Sequence, residues 1–283
     1  MVDPEGGEDR IRRMQVHGAS LPYIAEGTGS TVVFVHGALA DQRMWNRHRA
    51  FIAQRFQAVS FTMRYFGTDP WGSDWPPFGV DTHAADLAEL IRKLQAGAVH
   101  LIAWSYSGHI ALTVALRYPE LIKSAFIYEP GVPTYVTDPA EAGAFAADAN
   151  AMFGPVFEAV QGAGDNGEGV RRLIDGSGQR SGYFDSQPGE RQELQMDNAR
   201  TMPLLLAQST PPIITCDDLR ALRVPVCVAY GELTRPVFGV VSRAAARCIQ
   251  GGRHRVIASA NHMWPDEDAA GFSAAVLDFL ASC

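Results

Sequence analysis

The chain has 283 residues, of which 47% are hydrophobic and 19% charged, as expected of a globular protein that buries a sizeable core. Its formal net charge of −7 argues against nucleic acid or an anionic membrane surface as a partner. No apolar run approaches the roughly 20 residues of a membrane helix. The charged opening MVDPEGGEDRIRRM also lacks the apolar centre of a secretory signal.

The first predicted elements are two short strands within residues 15–27, around a turn at residues 18–20. TVVFVHG (31–37) and QAVSFTM (57–63) are continuous apolar runs rich in β-branched residues, which predicts strands buried on both faces. Residues 82–95 carry apolar side chains at helical spacing, so a helix is predicted there.

AVHLIAW (98–104) predicts a further buried strand, followed by a helix from Ser105 to about Tyr118 that ends before Pro119. The remaining strands are predicted at residues 123–129, 224–231 and 254–259, and the remaining helices at 237–249 and 268–280. Strands that alternate with helices predict an α/β fold with a mostly parallel sheet.

One long stretch, residues 131–218, breaks this alternation. It contains helical segments separated by Gly-rich joints such as QGAGDNGEG, and no convincing buried strand. We therefore expect a first core segment (residues 1–130), a helical cap or lid (131–218) and a second core segment (219–283).

The four cysteines, Cys216, Cys227, Cys248 and Cys283, show no paired spacing and form no C-x-x-C motif. This pattern predicts reduced, structural thiols in a cytoplasmic protein. The sequence shows no cluster of metal ligands, no nucleotide-binding glycine loop and no flavin motif, so we expect chemistry without a cofactor.

The junction AWSYSG, residues 103–108, contains a candidate nucleophile. Ser105 stands where a buried strand becomes a helix, and a tight turn there would expose its hydroxyl. The small residues Ala103 and Ser107 meet the steric demand of such a turn, although the usual G-x-S-x-G pattern is not matched. A serine that merely caps the helix would explain the same pattern. Ser107, the rival hydroxyl, is expected to point into the packing.

His262 is the candidate general base, because it follows the last strand and comes after the serine in the chain. His36 is expected to shape the backbone beside Gly37, and His109 lies on the helix after Ser105. The other histidines are expected at the surface or at sheet edges: His17, His48, His83, His100 and His254. The backbone amides of Tyr106 and Ala38 are the candidate oxyanion-hole donors.

Three motifs, FVHGAL (34–39), AWSYSG (103–108) and ANHMWP (260–265), resemble in sequence and order those of the α/β-hydrolase superfamily. The resemblance extends from about Gln15 to Leu280. It implies an eight-stranded, mostly parallel sheet, a cap inserted after the sixth strand and a catalytic triad.

The triad acid departs from the family pattern, which usually places it after the seventh strand as G-x-x-Asp. Here that turn reads GELT, with Thr234 at the expected position. Glu129, after the sixth strand, is the favoured acid, as in haloalkane dehalogenases and zearalenone-type lactone hydrolases, which this arrangement resembles. Glu232 is the alternative. The acidic residues after His262 are expected to favour the start of the last helix: Asp266, Glu267 and Asp268.

A serine nucleophile permits hydrolysis of esters, lactones, thioesters, amides or C–C bonds. The predicted cap is rich in aromatic residues and methionine, which indicates a lid over an apolar substrate, although most of these side chains are expected to pack the cap onto the core. The first hypothesis is a hydrolase of a carboxylic ester or lactone, acting through Ser105, His262 and Glu129. The alternatives are a C–C bond hydrolase of the β-diketone type and a ligand-binding or receptor protein with little turnover. The oligomeric state stays open, a homodimer included.

Overall fold

The computed structural model describes residues 11–208 and 211–283. Eight strands form one sheet: β1 (Arg12–Val16), β2 (Ala19–Glu26), β3 (Thr31–Val35), β4 (Gln57–Phe61), β5 (Val99–Trp104), β6 (Ile122–Tyr128), β7 (Val226–Gly231) and β8 (Arg253–Ile257). Their order is β1-β2-β4-β3-β5-β6-β7-β8. β2 pairs antiparallel with both its neighbours, and the other pairs are parallel. The predicted eight-stranded, mostly parallel sheet is confirmed.

The described residues also form a series of α-helices: α1 (Asn46–Ile52), α2 (Val80–Leu94), α3 (Tyr106–Arg117), α4 (Pro139–Phe157), α5 (Asn166–Ser177), α6 (Tyr183–Ser186), α7 (Gly189–Asp197), α8 (Met202–Leu206), α9 (Cys216–Arg220), α10 (Pro236–Cys248), α11 (Trp264–Glu267) and α12 (Ala269–Leu280). The predicted helices α2, α3, α10 and α12 are confirmed to within two residues. The sequence did not predict α1, because two of its three buried residues, His48 and Arg49, are polar and hide the apolar period.

Both faces of the sheet are covered by helices, which explains the continuous apolar strands. Along β3, Val33 and Val35 pack into one core with residues of α2, α3 and α10. Val32 and Phe34 point to the opposite core, which contains residues of α1 and α12. Successive residues of a strand therefore serve different layers, as the period of two requires.

The edges of the sheet differ from the predictions in two details. The first turn lies at His17 and Gly18, not at residues 18–20, and both residues have positive φ (42° and 77°). Val16 pairs with Ala19, so the loop has two residues, the length that favours positive φ at both positions. At the other edge, β8 is largely exposed and ends at Ile257, two residues before the predicted end.

The chain between β6 and β7 contains α4 to α9, and the described part of residues 131–218 contains no strand. α4 packs against α10, where Arg235 and Asp148 form an ion pair with an N···O distance of 2.7 Å. At the end of this stretch, Ile214 and Leu219 pack into the core beside α2 and α3. The contact at Arg235, which follows β7, places α4 near the carboxyl end of the sheet.

The prediction of four reduced cysteines is wrong for two of them, since Cys216 and Cys248 form a disulfide. Cys216 begins α9 and Cys248 ends α10, and packing of these helices brings residues 32 apart in sequence together. Cys227 is buried and free, and Cys283 is exposed and free. Disulfides persist mainly in oxidising compartments, so the cytoplasmic localisation loses this support and stays a prediction. Among the helices that the structure describes, none combines the length and hydrophobicity needed to cross a bilayer.

Candidate active site

Three candidate side chains meet at the carboxyl end of the sheet. Ser105 follows β5, Glu129 follows β6, and His262 lies in the loop after β8. Parallel strands deliver their carboxyl ends to one edge, which is where ligand sites of open α/β sheets lie. The Ser105 Oγ lies 3.0 Å from His262 Nε2, and the His262 Nδ1 lies 2.6 Å from Glu129 Oε2.

Ser105 occupies a sharp turn between β5 and α3. Its φ of 60° and ψ of −120° lie where a non-glycine residue is strained. Its hydroxyl makes no capping hydrogen bond to α3. The helix-cap interpretation therefore lacks its expected contact, and the hydroxyl faces His262 instead.

The residues beside this turn are small because neighbouring strands lie close. The Ser107 hydroxyl is buried, donates to the Val35 carbonyl at 2.8 Å and accepts from the Trp104 N–H at 3.0 Å. A Cβ at Gly108 would lie 2.9 Å from the Cγ2 of Ile127. Ser107 thus holds the turn together, and it does not compete with Ser105 for His262.

The Glu129 side chain is fully buried and accepts hydrogen bonds at both oxygens. Its Oε1 accepts from the Gly231 N–H at 2.8 Å, and its Oε2 accepts from the Thr234 hydroxyl at 2.9 Å and from His262. These donors offset the cost of removing a carboxylate from water. Gly231 has no room for a side chain, since a Cβ would lie 2.2 Å from the Ala260 carbonyl oxygen.

The imidazole of His262 is held by stacking as well as by hydrogen bonds. Its ring lies parallel to Phe238, with centroids 3.5 Å apart and an interplanar angle of 5°. The preceding residue is fixed too, because the Tyr128 hydroxyl donates to the Asn261 carbonyl at 2.6 Å. The histidine is therefore placed by β6, α10 and its own loop together.

Glu232, the alternative acid, lies away from the histidine. Its carboxylate is exposed and accepts from the Ser259 N–H at 3.0 Å. The structure brings Glu129 to His262 and leaves Glu232 on the surface of the β7 turn. The GELT turn still contacts the carboxylate of Glu129, through Thr234.

Both candidate oxyanion donors, Ala38 and Tyr106, line the same cavity as Ser105. Tyr106 is the first residue of α3, where a backbone N–H has no acceptor within the helix. Ala38 follows Gly37 and lines the same cavity as Ser105. The backbone at Gly37 lies close to Ser105, because a Cβ at Gly37 would lie 3.6 Å from the Ser105 Cβ.

His36 supports the Ala38 loop, as predicted for its backbone role. Its Nδ1–H donates to the Gly37 carbonyl at 2.8 Å, and its Nε2 accepts from the Met63 N–H at 3.0 Å. Burial lowers the pKa of His36 to about 4, so the ring stays neutral and can accept. The prediction of a surface or sheet-edge position is wrong for three other histidines, which are buried and whose polarity is offset by internal hydrogen bonds: His48 with the Pro265 carbonyl, His83 with the Tyr106 hydroxyl and His100 with the Ser124 hydroxyl.

A cavity of about 360 Å³ opens at Ser105 and His262. Its walls are mainly apolar, and the inserted helices supply Met152, Phe153, Leu173, Ile174, Leu194, Met202, Leu205 and Leu206. Three other aromatic residues of the insertion, Tyr135, Tyr183 and Phe184, are buried, as expected for most of them, whereas Phe157 is exposed. Among residues 11–208 and 211–283, no group of His, Cys, Asp or Glu could hold a metal ion.

Two charged residues in the cavity wall were not predicted from the sequence. Arg191 of α7 and Asp266 of α11 form an ion pair with an N···O distance of 3.0 Å. Of the three acidic residues expected to favour the start of the last helix, Asp268 caps α12 by accepting from the Gly271 N–H at 2.8 Å, whereas Asp266 pairs with Arg191. The one feature of the sequence that pointed to Asp266 as part of the site was its position four residues after His262.

Comparisons with known proteins agree with this architecture. The model of the alpha/beta hydrolase family matches residues 32–275. 2-(Acetamidomethylene)succinate hydrolase from Mesorhizobium japonicum is 28% identical over 135 residues, which cover 46% of this chain and 47% of that protein. The chain thus matches about half the length of this curated relative.

Solved structures show the same fold. The enol-lactonase from Burkholderia xenovorans LB400 superposes with a TM-score of 0.72 at 18% identity, covering 95% of this chain and 100% of that one. A carboxylesterase from Bacillus subtilis has a TM-score of 0.73 at 17% identity, covering 96% and 92%. Since the family model spans most of the sequence and the sheet has the matching topology, the chain belongs to the alpha/beta hydrolase family.

Proposed function

We propose that this protein is a serine hydrolase that cleaves a carboxylic ester or lactone through Ser105, His262 and Glu129. The observation that carries the proposal is the series of hydrogen bonds from Glu129 to His262 to Ser105, which ends at the wall of a mainly apolar cavity. A nucleophile, a base and an orienting acid within hydrogen-bond reach are the elements that acyl transfer to serine requires.

In the first half-reaction, the Ser105 Oγ attacks the carbonyl carbon, and His262 Nε2 takes the hydroxyl proton. Glu129 accepts from the Nδ1–H, which holds the imidazole in one tautomer and stabilises its cation. The oxyanion would accept from the backbone N–H groups of Ala38 and Tyr106. Collapse of the intermediate expels the alcohol, which takes the proton from His262 and leaves Ser105 acylated.

In the second half-reaction, His262 removes a proton from water, and the resulting attack on the acyl carbon repeats the tetrahedral intermediate. The carboxylic acid leaves as Ser105 recovers its proton from His262. Every proton moves between the substrate, water, Ser105 and His262, so the reaction balances without a cofactor.

We further propose that residues 131–218 form a cap over the site. Helices α4, α5, α7 and α8 supply apolar walls to the cavity. A mainly apolar cavity of this volume suits a small to medium apolar substrate.

The test is labelling with a fluorophosphonate, followed by peptide mass spectrometry and by assays with p-nitrophenyl esters and lactones. We expect label on Ser105 and turnover that falls by at least about 10⁴-fold in Ser105→Ala. Folded protein that takes up no label and cleaves neither class would overturn the proposal. Label without repeated turnover would instead favour a ligand-binding protein.

A further inference from the structure

Three polar residues of the cavity wall lie outside the catalytic triad and come from two helices. Arg191 and Gln195 lie four residues apart on α7, so they share one face of the helix, and Asp266 lies on α11. These three residues are here called the polar subsite. One of its members, Asp266, follows the catalytic candidate His262 by four positions in the chain.

The charges of the polar subsite are balanced and largely buried. The Arg191 and Asp266 side chains are 15% and 7% exposed, and their N···O distance is 3.0 Å. Burial raises the pKa of Asp266, while Arg191 and His262 both lower it. An anionic ligand would meet Asp266 and a cationic ligand would meet Arg191, so the site disfavours a charged group of either sign.

Two acceptor oxygens of the subsite have no donor within the described residues. The Asp266 Oδ1 lies near Arg191 without the alignment of a hydrogen bond, and the Gln195 Oε1 has no partner, although Gln195 is only 3% exposed. Buried acceptors are almost always satisfied in folded proteins. Both residues line the cavity, so a small shift of either side chain would let a group in the cavity supply the missing donor.

We propose that the polar subsite binds a hydroxyl group of the substrate, so that the natural substrate is a hydroxylated ester or lactone. This inference rests on the proposed function. A hydroxyl can donate to the Asp266 or Gln195 oxygen and accept from the Arg191 guanidinium, which matches the mixed character of the subsite. The apolar remainder of the substrate would contact the rest of the cavity.

The experiment compares kcat/KM for p-nitrophenyl esters of straight-chain alkanoic acids with those of ω-hydroxyalkanoic acids of the same length, from four to ten carbons. At one chain length we expect the hydroxylated ester to be preferred about tenfold or more, because a site with unpaired polar groups rejects the analogue that lacks the hydroxyl. The ratio should fall toward one in Gln195→Leu and in Asp266→Asn.

The matched control is Glu193→Leu, which replaces an exposed residue of the same helix and should leave the ratio unchanged. If Asp266→Asn does not fold, Gln195→Leu alone decides, since the Gln195 Oε1 has no hydrogen bond that the substitution would break. Turnover of both esters with no preference at any length would overturn the inference and leave the proposed function intact.

A second measurement separates the two proposals if no ester is cleaved. Binding of methyl alkanoates and methyl ω-hydroxyalkanoates to Ser105→Ala can be followed by calorimetry, without any reaction. Tighter binding of the hydroxylated member, lost in the Ser105→Ala/Gln195→Leu double variant, would support the subsite even if catalysis failed. Equal binding of both members would overturn it.

Discussion

The ends of β6 and β7 differ in what they contribute to the same histidine. β6 is followed by Glu129, whose carboxylate accepts from His262. The last residue of β7, Gly231, donates its N–H to that carboxylate, and Thr234 in the turn after β7 donates its hydroxyl. The position at which this family usually has its acid thus holds a donor to an acid from the adjacent strand. The comparison leads to the prediction that a carboxylate and its donors can exchange places between these neighbouring strands.

The exchange is feasible because the spacing and the side-chain length agree. Adjacent strands lie about 5 Å apart, so a Glu from one strand end can reach a site served by the next. The backbone of Glu129 also has a positive φ of 47°, a conformation that a non-glycine residue adopts at some cost. Its N–H donates to the Ala229 carbonyl at 3.0 Å, which keeps this turn against β7.

The largest effect is expected from Glu129→Gln. The amide would present an N–H₂ or a weaker acceptor to His262 and favour the wrong tautomer, so kcat should fall by roughly 10³–10⁴-fold. Ester turnover, with circular dichroism to confirm folding, provides the measurement. Activity near that of the wild type would remove Glu129 from the triad.

The arrangement of carboxylate and donor can also be reversed by moving the carboxylate to the turn after β7. In Glu129→Gln/Thr234→Asp, the new carboxylate would accept from His262, while the side-chain amide introduced at the end of β6 donates to that carboxylate. We expect the double variant to recover about 10–100-fold of the activity lost in Glu129→Gln, which is part of the roughly 10²–10⁴-fold that a well-positioned acid or base contributes. A double variant no more active than the single one would show that the two strand ends are not interchangeable.

Removal of the donor at β7 alone should have a smaller effect. Thr234→Val keeps the shape of the side chain but takes one hydrogen bond from Glu129, whose carboxylate then aligns less well with His262. A loss of about 3–10-fold in kcat is expected, less than one full hydrogen bond to a charged group contributes, because the Gly231 N–H still donates to Glu129. An unchanged kcat would mean that the Gly231 N–H suffices to orient the carboxylate.

The smallest effect is expected from Glu232→Gln, which also serves as the matched control for Glu129→Gln. Its carboxylate is exposed and contacts the Ser259 N–H, away from His262. We expect kcat within about twofold of the wild type, since an exposed group remote from the reaction contributes little. A loss as large as that of Glu129→Gln would reopen the choice between the two acids.

The sequence predicted the sheet and its principal helices because their signals are local. The apolar runs of β3 and β5 and the helical spacing of α2 depend on neighbours within one element. The sequence also identified Ser105 and His262 as candidates, since both follow predicted strands. It could not find the Arg191–Asp266 pair, whose members lie 75 residues apart and meet only when α7 packs over the site.

The amino-acid sequence by itself determined the fold class, the family and the order of the chemically important residues along the chain. Only the tertiary structure decided between Glu129 and Glu232 as the partner of His262, and only it joined Cys216 to Cys248. The reason is physical. Strand and helix signals arise from periodic burial within about a dozen residues, whereas hydrogen bonds and disulfides depend on atoms that the packing of distant segments brings within a few ångströms.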